Sequence, residues 1–138
     1  LELAVYLRDH VLDDLHKEWF LENGTLLGAW RNGKFIPHDD DFDIAMLIDS
    51  KEECTKIVDT INQKLLHSKY NVRLINTYAM KIEVYDESYG KYTLIGDAYN
   101  GQDYHYVTLD IQFYERHNNN YIIHICLYKL NIRLIQKH

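Results

Sequence analysis

The sequence predicts an α+β domain, a mixed β-sheet flanked by helices. Three observations lead there. Apolar residues recur at helical spacing near the N-terminus and again after residue 50. The second half alternates apolar and polar residues with period two. Short turn-forming segments, not long linkers, separate these stretches. The predicted order is helix, strand, short helix, strand, helix and then several strands.

Each element follows from a local pattern. Leu3, Leu7, Val11, Leu12, Leu15 and Trp19 recur at helical spacing, which predicts one amphipathic helix over residues 2–18. Trp19-Phe20-Leu21 reads as a short strand, and Asn23-Gly24-Thr25 breaks it. A short helix is expected over 26–31, closed by Asn32-Gly33. Pro37, the single proline, stiffens the loop ahead of the next strand, expected over 41–48. Ser50 with Glu53 three residues on forms a capping box. The helix it opens runs to about Leu66, with Ile57, Val58, Ile61 and Leu65 inward.

Beyond it, Met80, Ile82 and Val84 alternate with Lys81, Glu83 and Tyr85, the mark of a strand. Turns are expected at 88–91 and at Asn100-Gly101, with a strand over 92–95 between them. Over 105–114, Val107, Leu109, Ile111 and Phe113 share one face, and Tyr106, Thr108, Asp110 and Gln112 share the other. The Asn118–Asn120 run turns this strand into a hairpin partner over 121–127, and the tail from Tyr128 is read as helical.

Composition bounds the function. At 138 residues the chain is one domain, 1–138, with room for a real core. Its net charge of −6 offers no basic surface to track a nucleic-acid backbone, so general nucleic-acid binding is not expected. Cys54 and Cys126, without a Cys-x-x-Cys, argue against a zinc ribbon or a disulfide scaffold and favour a reducing, cytoplasmic setting. No apolar run reaches the length of a membrane span. Because the chain opens on Leu1 within a helical pattern, it reads as a part of a longer protein.

The segment Asp39-Asp40-Asp41-Phe42-Asp43 carries the chemistry. At a strand start, Asp41 and Asp43 project from the same face with backbones roughly 6–7 Å apart. Two carboxylates at that separation repel by about 2–3 kcal/mol at an effective dielectric near 20. A cation removes that penalty, and hard oxygen ligands suit Mg2+ or Mn2+ over Zn2+. The plain alternative is a solvated acidic loop. Against it, the cluster follows Pro37 and feeds straight into the apolar run Ile44 to Ile48. An EF-hand would need glycine at Ile44 and glutamate at Ser50, and an aspartyl-phosphate phosphatase would need threonine at Ala45. The Asp-x-Asp motif of a nucleotide-sugar glycosyltransferase stays compatible.

Gly24-Thr25 falls at a strand-to-helix junction. Glycine there lets a phosphate approach the backbone, Thr25 can cap the helix, and the free amides of the first turn face an anion. Alone this is an ordinary turn; beside a cation site it suits a nucleotide. Asp110 lies on the polar face of a strand and would complete a three-carboxylate site as ligand or base. Arg31 and Lys81 are candidate phosphate contacts, and either reads equally as a surface charge. His38, His105 and His124 read as loop or strand residues, Trp30 as packing, and Tyr85 and Tyr92 as candidate pocket walls.

Two stretches together, Gly24-Thr25-Leu26-Leu27-Gly28-Ala29-Trp30-Arg31 and Phe35-Ile36-Pro37-His38-Asp39-Asp40-Asp41-Phe42-Asp43-Ile44, resemble the signature of the LicD family. That family includes bacterial phosphocholine transferases and the fukutin-related proteins of animals. Leu109-Asp110-Ile111 resembles the family's later strand aspartate. The resemblance implies a nucleotidyltransferase fold and dependence on Mg2+ or Mn2+. It implies transfer of a phospho-alcohol group, of the phosphocholine or ribitol phosphate type, from a CDP-linked donor to a glycan or other hydroxyl acceptor. On this reading Asp41, Asp43 and Asp110 are catalytic and hold the metal. Asp39 is an accessory acid, and Gly24 and Thr25, with Arg31 and Lys81, bind the phosphates. The sequence departs from the family at His38, where tryptophan is usual. It also stops before the further helical region that members usually carry. A catalytically inactive nucleotide-binding domain of the same fold is the remaining alternative.

Overall fold

The computed structural model describes residues 2–34, 41–76, 80–86, 88, 91–93, 103–105, 107–125 and 130–136. The N-terminal helical stretch is not one regular helix. An α-helical turn, α1 (Glu2–Leu7), passes into a π-helical segment, Arg8–Leu12, and a 3-10 turn, Asp13–Leu15, which ends at His16 in the left-handed region with φ 53°. The reason lies in the apolar spacing. Leu3, Leu7, Val11 and Leu12 are all buried, and the wider π turn keeps the adjacent pair Val11 and Leu12 aimed at the core.

Strand β1 (Trp19–Leu21) leads into α2 (Asn23–Asn32). This helix begins three residues earlier than the pattern predicts, so Gly24 and Thr25 sit inside its first turn. Its end agrees with expectation. Gly33 takes φ 65° and its N–H bonds the Ala29 carbonyl at 3.0 Å, the 5→1 bond of an αL ending, while Lys34 N–H bonds the Gly28 carbonyl at 3.4 Å. Strand β2 (Asp41–Ile48) has the predicted bounds, and α3 (Glu53–Leu65) follows. Glu53 does reach back, its Oε2 accepting from Ser50 N–H at 3.0 Å and Asp49 N–H at 2.6 Å. The N-cap, however, is Glu52, and Ser50 belongs to the turn before the helix.

The remaining strands are β3 (Tyr70–Asn76), β4 (Met80–Asp86), β5 (Lys91–Thr93), β6 (Asp103–His105), β7 (Thr108–His117), β8 (Asn120–Ile125) and β9 (Leu130–Gln136). The main sheet runs β1-β2-β7-β4-β3, and β5 with β6 forms a separate ribbon. Pairing of β2 with β7 is parallel and the other described pairings are antiparallel, so the sheet is mixed. Along one edge of β7, β4 pairs residues 108–112 and β8 pairs residues 114–117. The β7–β8 hairpin turns through Asn118, at φ 58°. The tail is a strand, β9, and not the expected helix; Leu130, Ile132 and Leu134 alternate with Asn131 and Arg133, which is period two. Of the turns expected at 88–91 and Asn100-Gly101, residues 89–90 and 100–101 lie outside the described residues, and Lys91 already belongs to β5.

Strand alternation divides the sheet into two unlike faces. Ile44, Met46 and Ile48 of β2, Leu109, Ile111 and Phe113 of β7, and Ile82 and Val84 of β4 pack beneath α1 and α3, against Leu3, Leu7, Cys54, Ile57, Ile61 and Leu65. Each fully buried aliphatic side chain there contributes about 1.5–3 kcal/mol. The opposite face carries Asp43, Asp110, Glu83, Lys81 and Arg73. One face therefore holds the domain together and the other gathers charged side chains.

Candidate active site

The register of the central strands builds the site. Asp43 on β2 stands beside Asp110 on β7, Asp110 beside Glu83 on β4, and Glu83 beside Arg73 on β3. Neighbouring strands lie roughly 4.8 Å apart, so the row places its side chains within reach of one another on a single face. Asp41 occupies the next same-face position of β2, opposite Thr108. Its side chain lies outside the described set, as does all of Asp39.

Helix α2 is fastened to this row. The hydroxyl of Thr25, 4% exposed, accepts the Asp43 backbone N–H at 2.8 Å. The Glu22 N–H bonds the Asp43 carbonyl at 3.0 Å, so β1 and the helix start grip the same residue from two sides. Thr25 was expected to cap the helix. It does not, because the N-cap position belongs to Glu22 and the threonine oxygen is spent on β2. The effect is to tie the first turn of α2 to the β2 backbone at Asp43. Gly24 sits beside it in the first turn. Arg31 is exposed in the last turn, about 9 Å along the axis from Thr25, and the structure does not bring it to the row.

Two ion pairs shape the row. Lys81 Nζ donates to Asp110 Oδ2 at 3.0 Å, with side chains only 11% and 13% exposed. Arg73 donates to Glu83 Oε1 through Nε at 3.1 Å and Nη2 at 2.8 Å. Glu83 is 1% exposed, and burial raises its pKa above the usual carboxylate range; Arg73 opposes that rise and Asp110 adds to it. Asp110 Oδ1 is buried and has no hydrogen-bond partner. Leaving a carboxylate oxygen in that state is costly, and a cation would relieve it.

Residues that a single-sequence reading passes over also belong here. Glu83 reads from the sequence as an ordinary polar strand position, and Arg73 lies on β3, a strand the sequence reading does not include, although Val72 and Leu74 alternate with Asn71 and Arg73. Glu22 is a further case. It continues the extended backbone of β1, at φ −138° and ψ 163°, on the face of Phe20, whose ring lies 6.3 Å from that of Tyr114. Its Oε2 is buried without a partner, and burial pushes its pKa up to about 7. Trp30, expected to pack, is 86% exposed on α2. Tyr85 lies under the Arg73 guanidinium, 5.4 Å from its ring centroid. The side chains of Tyr92, His105 and His124, and all of His38, lie outside the described residues.

A cation fits this chemistry in part. Asp43 and Asp110 supply hard oxygens on adjacent strands, and the orphaned Asp110 Oδ1 is an available ligand atom. Among the described residues no three acidic, histidine or cysteine side chains form a ready metal-holding group, a set that excludes the Asp41 side chain.

Comparison with known families decides the assignment. The family described as LicD/FKTN/FKRP, nucleotidyltransferase domain, matches residues 16–130. The chain belongs to the LicD family. That places this LicD domain among transferases of the LicD/FKTN/FKRP type, and its mixed sheet with flanking helices is consistent with the nucleotidyltransferase fold of the family's description. The match spans β1, α2, the acidic row and Asp110 alike. No curated protein matches this LicD domain. Among its described residues no helix is long and apolar enough to cross a membrane.

Proposed function

We propose that this LicD domain transfers a phospho-alcohol group from a CDP-linked donor to a hydroxyl acceptor, on a glycan or another molecule. Mg2+ or Mn2+ would be held by Asp41, Asp43 and Asp110. The observation that carries the reading is the register of β2 with β7, which sets Asp43 beside Asp110, together with the buried and unpartnered Oδ1 of Asp110. The donor class follows from the resemblance of the Gly24–Arg31 and Phe35–Ile44 stretches to the LicD signature.

The bound cation supplies neutralisation of the donor's diphosphate charge. The protein's share of the work is positioning. Asp43 and Asp110 orient the ligand oxygens, and the Thr25 hydroxyl holds the backbone of Asp43 against the first turn of α2. Gly24 and Thr25 place first-turn amides toward the phosphates. Asp39 is an accessory acid; Lys81 is engaged by Asp110 and Arg31 is not brought to the row, so the phosphates fall to the first turn of α2 and the cation. The acceptor oxygen attacks the phosphorus distal to the nucleoside. Its bond to phosphorus forms as the bridging P–O bond breaks, CMP leaves, and the hydroxyl loses its proton.

The test is incubation with Mn2+ and, in turn, CDP-choline, CDP-ribitol and UDP-sugars, with products followed by phosphorus NMR. Release of CMP from a CDP-alcohol, lost in Asp43→Asn and Asp110→Asn, is the expected result. Cleavage at a sugar carbon with release of UDP would assign a glycosyltransferase instead. Metal binding with no turnover of any donor would assign a non-catalytic domain.

A further inference from the structure

We propose that Lys81 is a positioning residue for the cation: by holding Asp110 at Oδ2, it turns Oδ1 alone toward the metal. The inference rests on the cation reading above and adds how one of the ligands is aimed. The torsion that orients a carboxylate group is broad and nearly two-fold, so an aspartate left to itself presents either oxygen. Here that freedom is removed. Lys81 pairs with Gln112 across β4 and β7, and its side chain crosses diagonally to reach Asp110 Oδ2 at 3.0 Å. The two side chains are 11% and 13% exposed, so water has little room to replace the contact. The other oxygen, Oδ1, is buried with no hydrogen-bond partner.

The surroundings favour this pose. Glu83 stands next to Asp110 on the side away from Asp43, almost wholly buried, and Arg73 holds its Oε1 through two bonds at 3.1 and 2.8 Å. The Glu83 carboxylate attracts the Lys81 ammonium and so keeps it close to the row. Arg73, Glu83, Lys81 and Asp110 thus form a relay of alternating charge that ends on the unpartnered oxygen. Partners one step behind a metal ligand set its orientation, and their loss typically weakens metal affinity about 10- to 100-fold.

The experiment is calorimetric titration of the whole chain with Mn2+ alone, without nucleotide, comparing wild type, Lys81→Met, Lys81→Gln and Asp110→Asn. Positioning predicts that Lys81→Met weakens Mn2+ binding by about 10-fold or more. Lys81→Gln keeps an N–H donor for Oδ2 and stays within about threefold of wild type, a rescue that charge loss alone would not give. Should Lys81→Met fail to fold, Lys81→Gln decides, because a purely competing lysine charge predicts tighter binding in that variant. Unchanged or tighter binding in Lys81→Met overturns the proposal. No Mn2+ binding by wild type would defeat the cation reading itself, whereas wild-type binding matched by Lys81→Met defeats this inference alone.

Discussion

Replacing Thr25 with valine removes one oxygen and almost no volume, and the consequences are concentrated at Asp43. The Thr25 hydroxyl accepts the Asp43 N–H at 2.8 Å, and the residue is only 4% exposed. Water therefore has little access to the vacated position, and the amide is left without its acceptor. The cost of such an orphaned buried group is about 1–3 kcal/mol. Unfolding entropy of about 2.1 cal/mol/K per residue over a chain of this length gives roughly 0.3 kcal/mol per kelvin, so the melting temperature should fall by about 3–10 °C. Thr25→Ser keeps the oxygen and should recover most of the loss. Differential scanning calorimetry of the three proteins measures this directly. The same variants titrated with Mn2+ should show weaker binding for Thr25→Val than for Thr25→Ser, because the bond also sets where Asp43 stands. A Thr25→Val protein melting within about one degree of wild type would refute the argument that this bond ties α2 to the acidic row.

The buried pair on the same face gives a second prediction. Arg73→Met leaves Glu83, whose side chain is 2% exposed, without its two bonds and should cost about 3–5 kcal/mol in urea unfolding. Combining it with Glu83→Leu should return most of that loss, and failure to do so would mean the pair is not the source. Glu22 gives a third, with a definite sign. Its folded pKa of about 7 lies above the ordinary 4.5, so the native state holds a proton that the unfolded chain has released. That contribution is fully present below about pH 4.5 and is lost as pH rises through 7. Glu22→Gln should flatten this part of the curve and gain roughly 2 kcal/mol at pH 8 relative to wild type. Glu53, Asp14 and Asp86 have lowered pKa values and act in the opposite direction at lower pH, so the difference between wild type and variant isolates Glu22.

How far the sequence could be read depended on whether a pattern was local. Strand β2 and the apolar face of β7 were visible because period-two alternation needs no partner to be recognised. The placement of Asp43 with Asp110 could be anticipated only as a possibility, since the register between strands more than sixty residues apart is set by the packed sheet. Glu83 was hidden for a related reason. An alternating strand with one polar face reads as half solvated, yet β4 lies between β3 and β7 and its polar face is buried by its neighbours' side chains. Thr25 stands out in the sequence but its contact does not, because its partner is an amide 18 residues away. The π-helical turn escaped because Val11 and Leu12 also fit a regular helix; only the requirement that both be buried selects the wider turn. The tail's period-two alternation spans only the seven residues of β9, too few to separate a strand from a short helix by pattern alone.

The central claim is that the row of carboxylates across β2 and β7 is a divalent-cation site serving a diphosphate. Anomalous diffraction at the manganese edge, from crystals grown with Mn2+ and CDP, addresses it directly. The expected result is a peak at coordination distance, about 2.0–2.3 Å, from Asp43 and from Oδ1 of Asp110, with the diphosphate on its open side. A manganese peak elsewhere, or none at these two aspartates with CDP bound, would contradict the account.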